Sequence, residues 1–345
     1  MSVITTSGTN STDIRITRFA SWVSLVASSV ILGIKFLGYY LTGSNAIYSD
    51  ALESSVNVAG AVVALTALRI AAQPADRDHP YGHGKVEYFS AAFEGGLLVF
   101  AAFMILTKSI AALISGAELR ELGLGLFLTA VAAVGNALLG LFLLQTGRRH
   151  SSVALVASGK HVLSDVWTTA GAALGLFLVR LTSVPRIDPL IALLLGLYIA
   201  STGYGLVKHS AGGLMDAEDK QVISKIASLF TKHLFPGIIR IHSTRIIRSG
   251  RIHHIDCHIV VPEFWSTAKT HTETERYERS ILDDYGTDSE IHFHIDPCRQ
   301  SYCKVCDYDD CPIRRHPFEH RTTFTLEELT SPTELPEFRG NRLRS

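Results

Sequence analysis

The chain has 345 residues, enough for more than one domain, with 47% hydrophobic residues, 19% charged residues and a mean hydropathy of +0.23. Its 32 Lys and Arg balance 32 Asp and Glu, so net charge gives no reason to expect nucleic acid or an anionic surface as partner. Met1–Asp13 lacks the apolar core of a secretory signal, and all five cysteines lie in the polar C-terminal part.

Six apolar stretches approach the ~20 residues that cross a bilayer: Trp22–Leu41, Ile47–Ala71, Phe89–Leu113, Leu122–Thr146, Val153–Leu181 and Pro189–Lys208. Six successive runs of this length do not suit a soluble helix bundle. Arg15 and Arg18 precede span one, Arg69, Arg77 and Lys85 flank the second–third loop, and Arg148 and Arg149 the fourth–fifth. The other side carries Arg120, Arg180 and Arg186. More Lys and Arg in cytoplasmic loops then puts both termini and the polar half in the cytoplasm. Short loops and a compact tail suit a bacterial inner membrane.

Ionisable groups inside spans are costly, about 2.5–3.5 kcal/mol each near the centre by insertion scales, so they call for a function. Span two carries Asp50, Glu53 and Asn57 at three- and four-residue spacing, on one helix face. Span five carries His161 and Asp165, four apart, beside Lys160. If these spans pack together, Glu53, Asn57, His161 and Asp165 can surround one divalent ion such as Zn²⁺. The plainer alternative is polar glue between helices. Lys35 and Lys108 read as snorkelling or packing groups. Metal must displace protons from His and carboxylate ligands, so exchange of one for the other fits such a site.

The stretch Ser44–Asp50 with Asn57, the segment Asp76–Glu87 and His161–Asp165 resemble the cation diffusion facilitator family of divalent-metal transporters, over about Thr17 to Cys298. The resemblance implies an all-α six-helix membrane domain followed by a small cytoplasmic α/β domain like a metallochaperone. It further implies a homodimer that exports Zn²⁺ or a related ion by proton antiport, with no organic cofactor. His161 and Asp165 match the family's His-x-x-x-Asp. Glu53 and Asn57 fall where it has two ligands, and Asn57 departs from the usual acidic or histidine ligand, with Asp50 one turn from Glu53 as a substitute.

In the loop between spans two and three, Pro80, Gly82 and Gly84 break helix and Asp76, His79 and His83 offer mixed oxygen and nitrogen donors. By resemblance these form a second metal site, and Lys85 pairs with Asp216 as a weak latch between the two parts. A loop that only sets geometry is the alternative.

In the polar half, Lys220–His233 reads as an amphipathic helix, Arg240–Arg248 and Ile252–Val261 as strands joined at Ser249-Gly250, Thr270–Tyr285 as a helix and Ser289–Asp296 as a strand. The order is α-β-β-α-β. By resemblance His242, His258, His271, His294 and Asp296 form a cytoplasmic metal site near a dimer interface, with a regulatory use. His253, His254 and His292 have no such match.

Cys298, Cys303, Cys306 and Cys311 follow the last strand. A cytoplasmic setting argues against disulfides, and four thiolates around Cys-x2-Cys suit tetrahedral zinc. A redox cluster and free thiols are alternatives, and Cys257 reads as a core residue. The expected organisation is 1–16 N-terminal segment, 17–211 membrane domain, 212–298 α/β domain, 299–316 cysteine tail and 317–345 disordered. A membrane metal sensor or scaffold without transport is the competing function. An intramembrane metalloenzyme lacks support, with no His-Glu-x-x-His motif and no nucleophile beside a base.

Overall fold

The structure, a computed structural model, describes residues 8–42, 45–115, 124–184, 186–286, 289–321 and 323–331, with backbone alone at 8–11, 41–42, 45–50, 52, 53, 115, 124–129, 172, 176 and 180. The chain divides into two compact units, Met1–Met215 and Asp216–Ser345.

The first unit is six helices: α1 Gly8–Thr42, α2 Asn45–Ala71, α3 Val86–Ser115, α4 Leu124–Arg149, α5 Val153–Thr182 and α6 Ile187–Leu214. All six are long and apolar enough to cross a membrane. Their burial pattern is that of a protein dissolved in lipid. Small or polar residues such as Ser21, Ser24, Ser28, Ser90, Ala91 and Ala102 face inward. Large apolar ones such as Val30, Phe100, Phe103, Leu138, Phe177 and Leu194 face out. Helices in lipid gain little from burying Leu against Leu and gain more from close backbone approach and interhelical hydrogen bonds. α3 runs along α6, α4 along α5 and α1 along α2, and α5 also touches α2 and α3. The α3–α6 crossing needs glycine: a Cβ at Gly203 would lie 2.8 Å from the Gly95 carbonyl oxygen. Lys35 is buried in this unit rather than snorkelling outward, whereas Lys108 is exposed.

α1 begins well before the expected Trp22, because its first turns are polar and hydropathy sees only the apolar part. The start of α5 is fixed from another helix. The buried Glu87 of α3 accepts Ser152 Oγ at 2.6 Å and the Ala154 backbone N–H at 3.3 Å, while Ser152 caps Leu155 N. A carboxylate there satisfies free N–H groups and meets the positive end of the helix dipole. Arg120 and the 116–121 loop lie outside the described residues.

The second unit follows the expected order. α7 Lys220–Lys232, β1 Arg240–Ser249, β2 Ile252–Val261, α8 Thr267–Tyr285 and β3 Ser289–Pro297 form a three-stranded sheet of order β1-β2-β3. β1 and β2 pair antiparallel through the Gly250 turn, and β3 pairs parallel to β2, so α8 serves as the crossover. Ile226, Phe230, Ile241, Ile255, Ile259, Tyr277 and Ile281 make the core, with Cys257 in it as expected. Tyr277 keeps its hydroxyl satisfied by donating to the Phe230 carbonyl at 2.7 Å. The period-two strands leave the other sheet face to histidines and acids.

The C-terminal segment differs from expectation. Residues 323–331 pack onto the domain: Phe324 and Leu329 insert into the core, and a short helix, α9 Leu326–Thr330, lies on β1. The insertion is made possible by one buried ion pair. Glu328 receives the Arg240 guanidinium in two parallel bonds, from Nε to Oε1 at 2.5 Å and from Nη2 to Oε2, and Arg240 also lies 4.8 Å over the Phe324 ring. Hydropathy flags Glu328 as solvent-facing because it cannot see its partner 88 residues away. Residues 332–345 lie outside the described residues.

Removing one partner of a buried pair leaves an uncompensated charge and costs about 3–5 kcal/mol. Glu328→Ala is expected to destabilise the second unit by that amount, read as faster amide exchange along β1 in the full-length protein. Glu327→Ala, at an exposed position, is expected to stay within about 0.5 kcal/mol of wild type.

Candidate metal sites

The centre of the first unit is a polar bridge. Asn57 on α2 and His161 and Asp165 on α5 point at each other inside the bundle, with Asn57 7% and His161 5% exposed. The Asn57 amide spans the gap: its Nδ2 donates to Asp165 Oδ2, and its Oδ1 lies 2.7 Å from His161 Nε2. Thr168 and Thr169 donate to the Asp165 backbone carbonyl at 2.9 and 2.8 Å, back-bonds that locally loosen the helix next to the site. Glu53 stands one turn before Asn57 on the same helix face. The side chains of Glu53 and Asp50 lie outside the described residues. Three of the four expected residues are thus brought together: an imidazole, a carboxylate and an amide oxygen, donors suited to a divalent metal.

Two more acids are buried here that sequence reasoning passed over. Glu87 holds the start of α5. Glu94, in the middle of α3 and 1% exposed, accepts Ser158 Oγ at 2.7 Å through Oε1 and places Oε2 3.6 Å from His161 Nδ1. The signal was available: a glutamate in an apolar span, and a serine three residues before the histidine on the same helix face.

Among the described residues, two sets of His, Cys, Asp or Glu place three ligand atoms within 4.8 Å of one another. One is Asp76, His79 and His83, as expected. His79 Nδ1 is 3.1 Å and His83 Nε2 3.4 Å from the Asp76 carboxylate. The loop folds around Asp76 Oδ1, which accepts the backbone N–H of His79 at 2.7 Å and of Asp78 at 3.0 Å, and Gly82 turns the chain at φ 77°. The His79 backbone N–H holds the Asp76 carboxyl below the usual range, which keeps it an anionic ligand near neutral pH. Lys85 closes this loop, and Asp216, at φ 54°, opens the second unit.

The other set is His242, His258 and Asp296, on neighbouring strands. The register puts His242 opposite His258 and His258 opposite His294. Asp296 Oδ2 is 2.9 Å from His258 Nδ1 and 3.6 Å from His242 Nε2, and His294 Nε2 is 3.8 Å from Asp296 Oδ1. Four of the five expected residues therefore gather. His271 does not join them; it is exposed on α8. A cavity of about 280 Å³ opens on this face, bounded by Ser243, Arg245, Asp256, His258, His292 and His294. The unmatched histidines have structural partners: His253 meets the Tyr285 hydroxyl at 2.5 Å, and burial first, then Arg248, lowers its pKa to about 4. His254 pairs with Glu290 at 2.5 Å.

Among the described residues, the four tail cysteines do not bring three ligand atoms within 4.8 Å of one another. Cys306 turns into an apolar cluster with Ile239, Val260 and Tyr302, with Cys298 packed at its edge. Arg314 fixes the loop by donating to the backbone carbonyls of Cys303, Cys306 and Tyr308 at 3.1, 3.0 and 2.8 Å. Burial pushes the thiols of Cys298 and Cys306 up, which disfavours the thiolate that redox reactivity needs.

The cation efflux transmembrane domain family matches residues 21–215, and the cation efflux protein cytoplasmic domain family matches residues 219–298. An uncharacterized transporter of Synechocystis sp. is 35% identical over 284 residues, 82% of this chain and 91% of the relative. The cation-efflux pump FieF of Serratia proteamaculans is 28% identical over 82% of this chain and 94% of its own. That of Citrobacter koseri is 29% identical over 84% and 95%. The matches define a six-helix membrane carrier with an appended α/β domain. The chain belongs to the cation diffusion facilitator family, integral membrane proteins that move divalent cations out of the cytoplasm.

Two outcomes test these sites. His258→Ala with Asp296→Ala is expected to lower by about one the metal equivalents bound per chain by the purified full-length protein, since the set has too few donors left for tetrahedral zinc. At pH 8, iodoacetamide is expected to label Cys298 and Cys306 more slowly than a free cysteine. A raised pKa lowers the thiolate fraction at that pH, and labelling recovers as pH rises further. Equal rates at pH 8 would contradict their burial.

Proposed function

We propose that this protein exports cytoplasmic Zn²⁺, or a divalent ion of similar size, in exchange for protons, and that it works as a homodimer. The observation that carries the reading is the Asn57 bridge to His161 and Asp165 between two helices within the bilayer. A polar triad there is costly unless used, and mere glue would not require one imidazole, one carboxylate and one amide on a common point.

In the structure the three side chains bond to one another. An incoming ion replaces that bridge. Asn57 Oδ1, His161 Nε2 and an Asp165 oxygen turn to the ion, and Glu53 supplies the fourth donor. Glu53 and Asp165 together offset the charge of a divalent cation. On the far side, protons displace the ion because His and carboxylate ligands bind metal only when deprotonated, and rocking of helices alternates access. FieF relatives are named cation-efflux pumps, which favours export over import. The same reading places both termini in the cytoplasm, in a bacterial plasma membrane. It pairs Lys85 with Asp216 as a latch, and lets the Asp76 loop feed the site. Metal on His242, His258 and Asp296, with His271 and His294 exposed beside the sheet face or on α8, would regulate the packing of two cytoplasmic domains.

The test is Zn²⁺-driven proton flux in proteoliposomes. Asp165→Ala is expected to lower flux by at least about 100-fold, the upper end of what losing even an outer partner of a ligand costs, with the cytoplasmic metal content unchanged. Flux that survives would mean that this triad is packing and that the ion crosses elsewhere, whereas no flux from the wild-type protein would mean that the chain senses or stores metal through its other sites.

A further inference from the structure

Glu94 has more to do than close a hydrogen bond to Ser158. Its Oε2 and the Nδ1 of His161 are both buried, neither has a hydrogen-bond partner, and they face each other at 3.6 Å. Room for the carboxylate is provided by α2. A Cβ at Gly60 would lie 3.1 Å from Glu94 Oε1 and 3.3 Å from Oε2, tighter than a side chain ordinarily accepts. Three helices thus converge on this carboxylate: α2 through Gly60, α3 through its own backbone and α5 through Ser158 and His161.

The chemistry follows from the imidazole. In the structure Nε2 faces the Asn57 carbonyl oxygen at 2.7 Å, an acceptor, so the ring donates from Nε2. A nitrogen that carries a proton has no lone pair for a metal. For His161 to bind an ion through Nε2, the ring proton must sit on Nδ1, and Nδ1 then needs an acceptor. Glu94 Oε2 is the acceptor that faces it.

We propose that Glu94 is a positioning residue of the transport site, which takes the Nδ1–H of His161 and so turns the Nε2 lone pair to the ion. This rests on the transport reading above. The shift moves one proton from Nε2 to Nδ1 of a neutral ring and changes no net charge. A ligand histidine held this way is fixed in tautomer and orientation and is a stronger donor. The carboxylate also adds negative charge beside a site where Asn57 contributes none. A residue that served only to bond Ser158 would not need to be ionisable, since glutamine at the same place accepts the same hydroxyl.

The experiment is zinc transport in proteoliposomes by the full-length protein. Glu94→Gln keeps shape and the Ser158 bond. It is expected to raise KM for zinc about 10–100-fold, the cost typical of a lost outer partner of a ligand histidine, with the maximal rate within about threefold. Glu94→Asp is expected to recover part of the loss. Gly60→Ala leaves Glu94 intact but crowds it, and is expected to raise KM in the same direction; it serves if Glu94→Gln does not fold. KM within about twofold of wild type in Glu94→Gln and Gly60→Ala, while Asp165→Ala is inactive, would overturn the role of Glu94 alone. A fall in maximal rate with KM unchanged would overturn it too, because positioning a ligand acts on binding. Full transport by Asp165→Ala would instead overturn the site itself.

Discussion

A polar triad in hydrocarbon has to be satisfied by protein, because the bilayer offers no water to do it. The amide of Asn57 meets that constraint: it donates to Asp165 and accepts from His161, which ties α2 to α5. Much of the membrane unit can be read as what holds this contact in place. Glu87 fixes where α5 begins, the Gly95–Gly203 crossing seats α3 against α6, and Ser158 holds Glu94 against α5. Each uses the hydrogen bonds and close backbone approach on which packing in lipid depends.

The cytoplasmic unit solves a different problem, that of a sheet with one face left open. Its core face is closed by α7, α8 and, past the last strand, by Phe324 and Leu329. The open face carries His242, His258, His294 and Asp296. The C-terminal segment touches both. β1 is bulged between His242 and Arg245, with Ser243 at φ 51°, and the Ser243 N–H donates to the Ser331 carbonyl at 3.2 Å. The bulge turns the strand right beside a metal-ligand candidate, as bulges often do near functional sites. A segment that reads as a featureless tail therefore sets the local backbone of the histidine face.

What was legible follows from range. Period two in Ile252–Val261 and helical spacing in Lys220–Lys232 are local, and both elements fall within a residue of expectation. Span lengths are fixed by bilayer thickness, so all six helices could be found by hydropathy, while the polar first turns of α1 could not. His161 and Asp165 were legible as a pair because one helix carries both. Glu94 was legible only as a glutamate in an apolar span; its partners were not, because they come from α5 and from the space left by Gly60. The tail was the least legible part. The spacing of Cys303-x2-Cys306 is local, but the Arg314 bonds to the loop's backbone carbonyls are not in that pattern. Glu328 looks like a solvated acid, yet it is the partner of Arg240 across the fold.

The departure at Asn57 gains a physical sense once Glu94 is in view. An aspartate at 57 could donate to Asp165 only while it kept a proton. Two carboxylates would then face each other in an apolar medium whenever the site was empty, and like charges that close disfavour ionising both. The amide removes that repulsion and donates to Asp165 with no proton to hold. On the proposed reading, the negative charge it gives up is supplied one helix away by Glu94, on the far side of the imidazole. The site on that reading separates two tasks that a carboxylate at 57 would combine: bridging α2 to α5, and strengthening the ligand field around the ion.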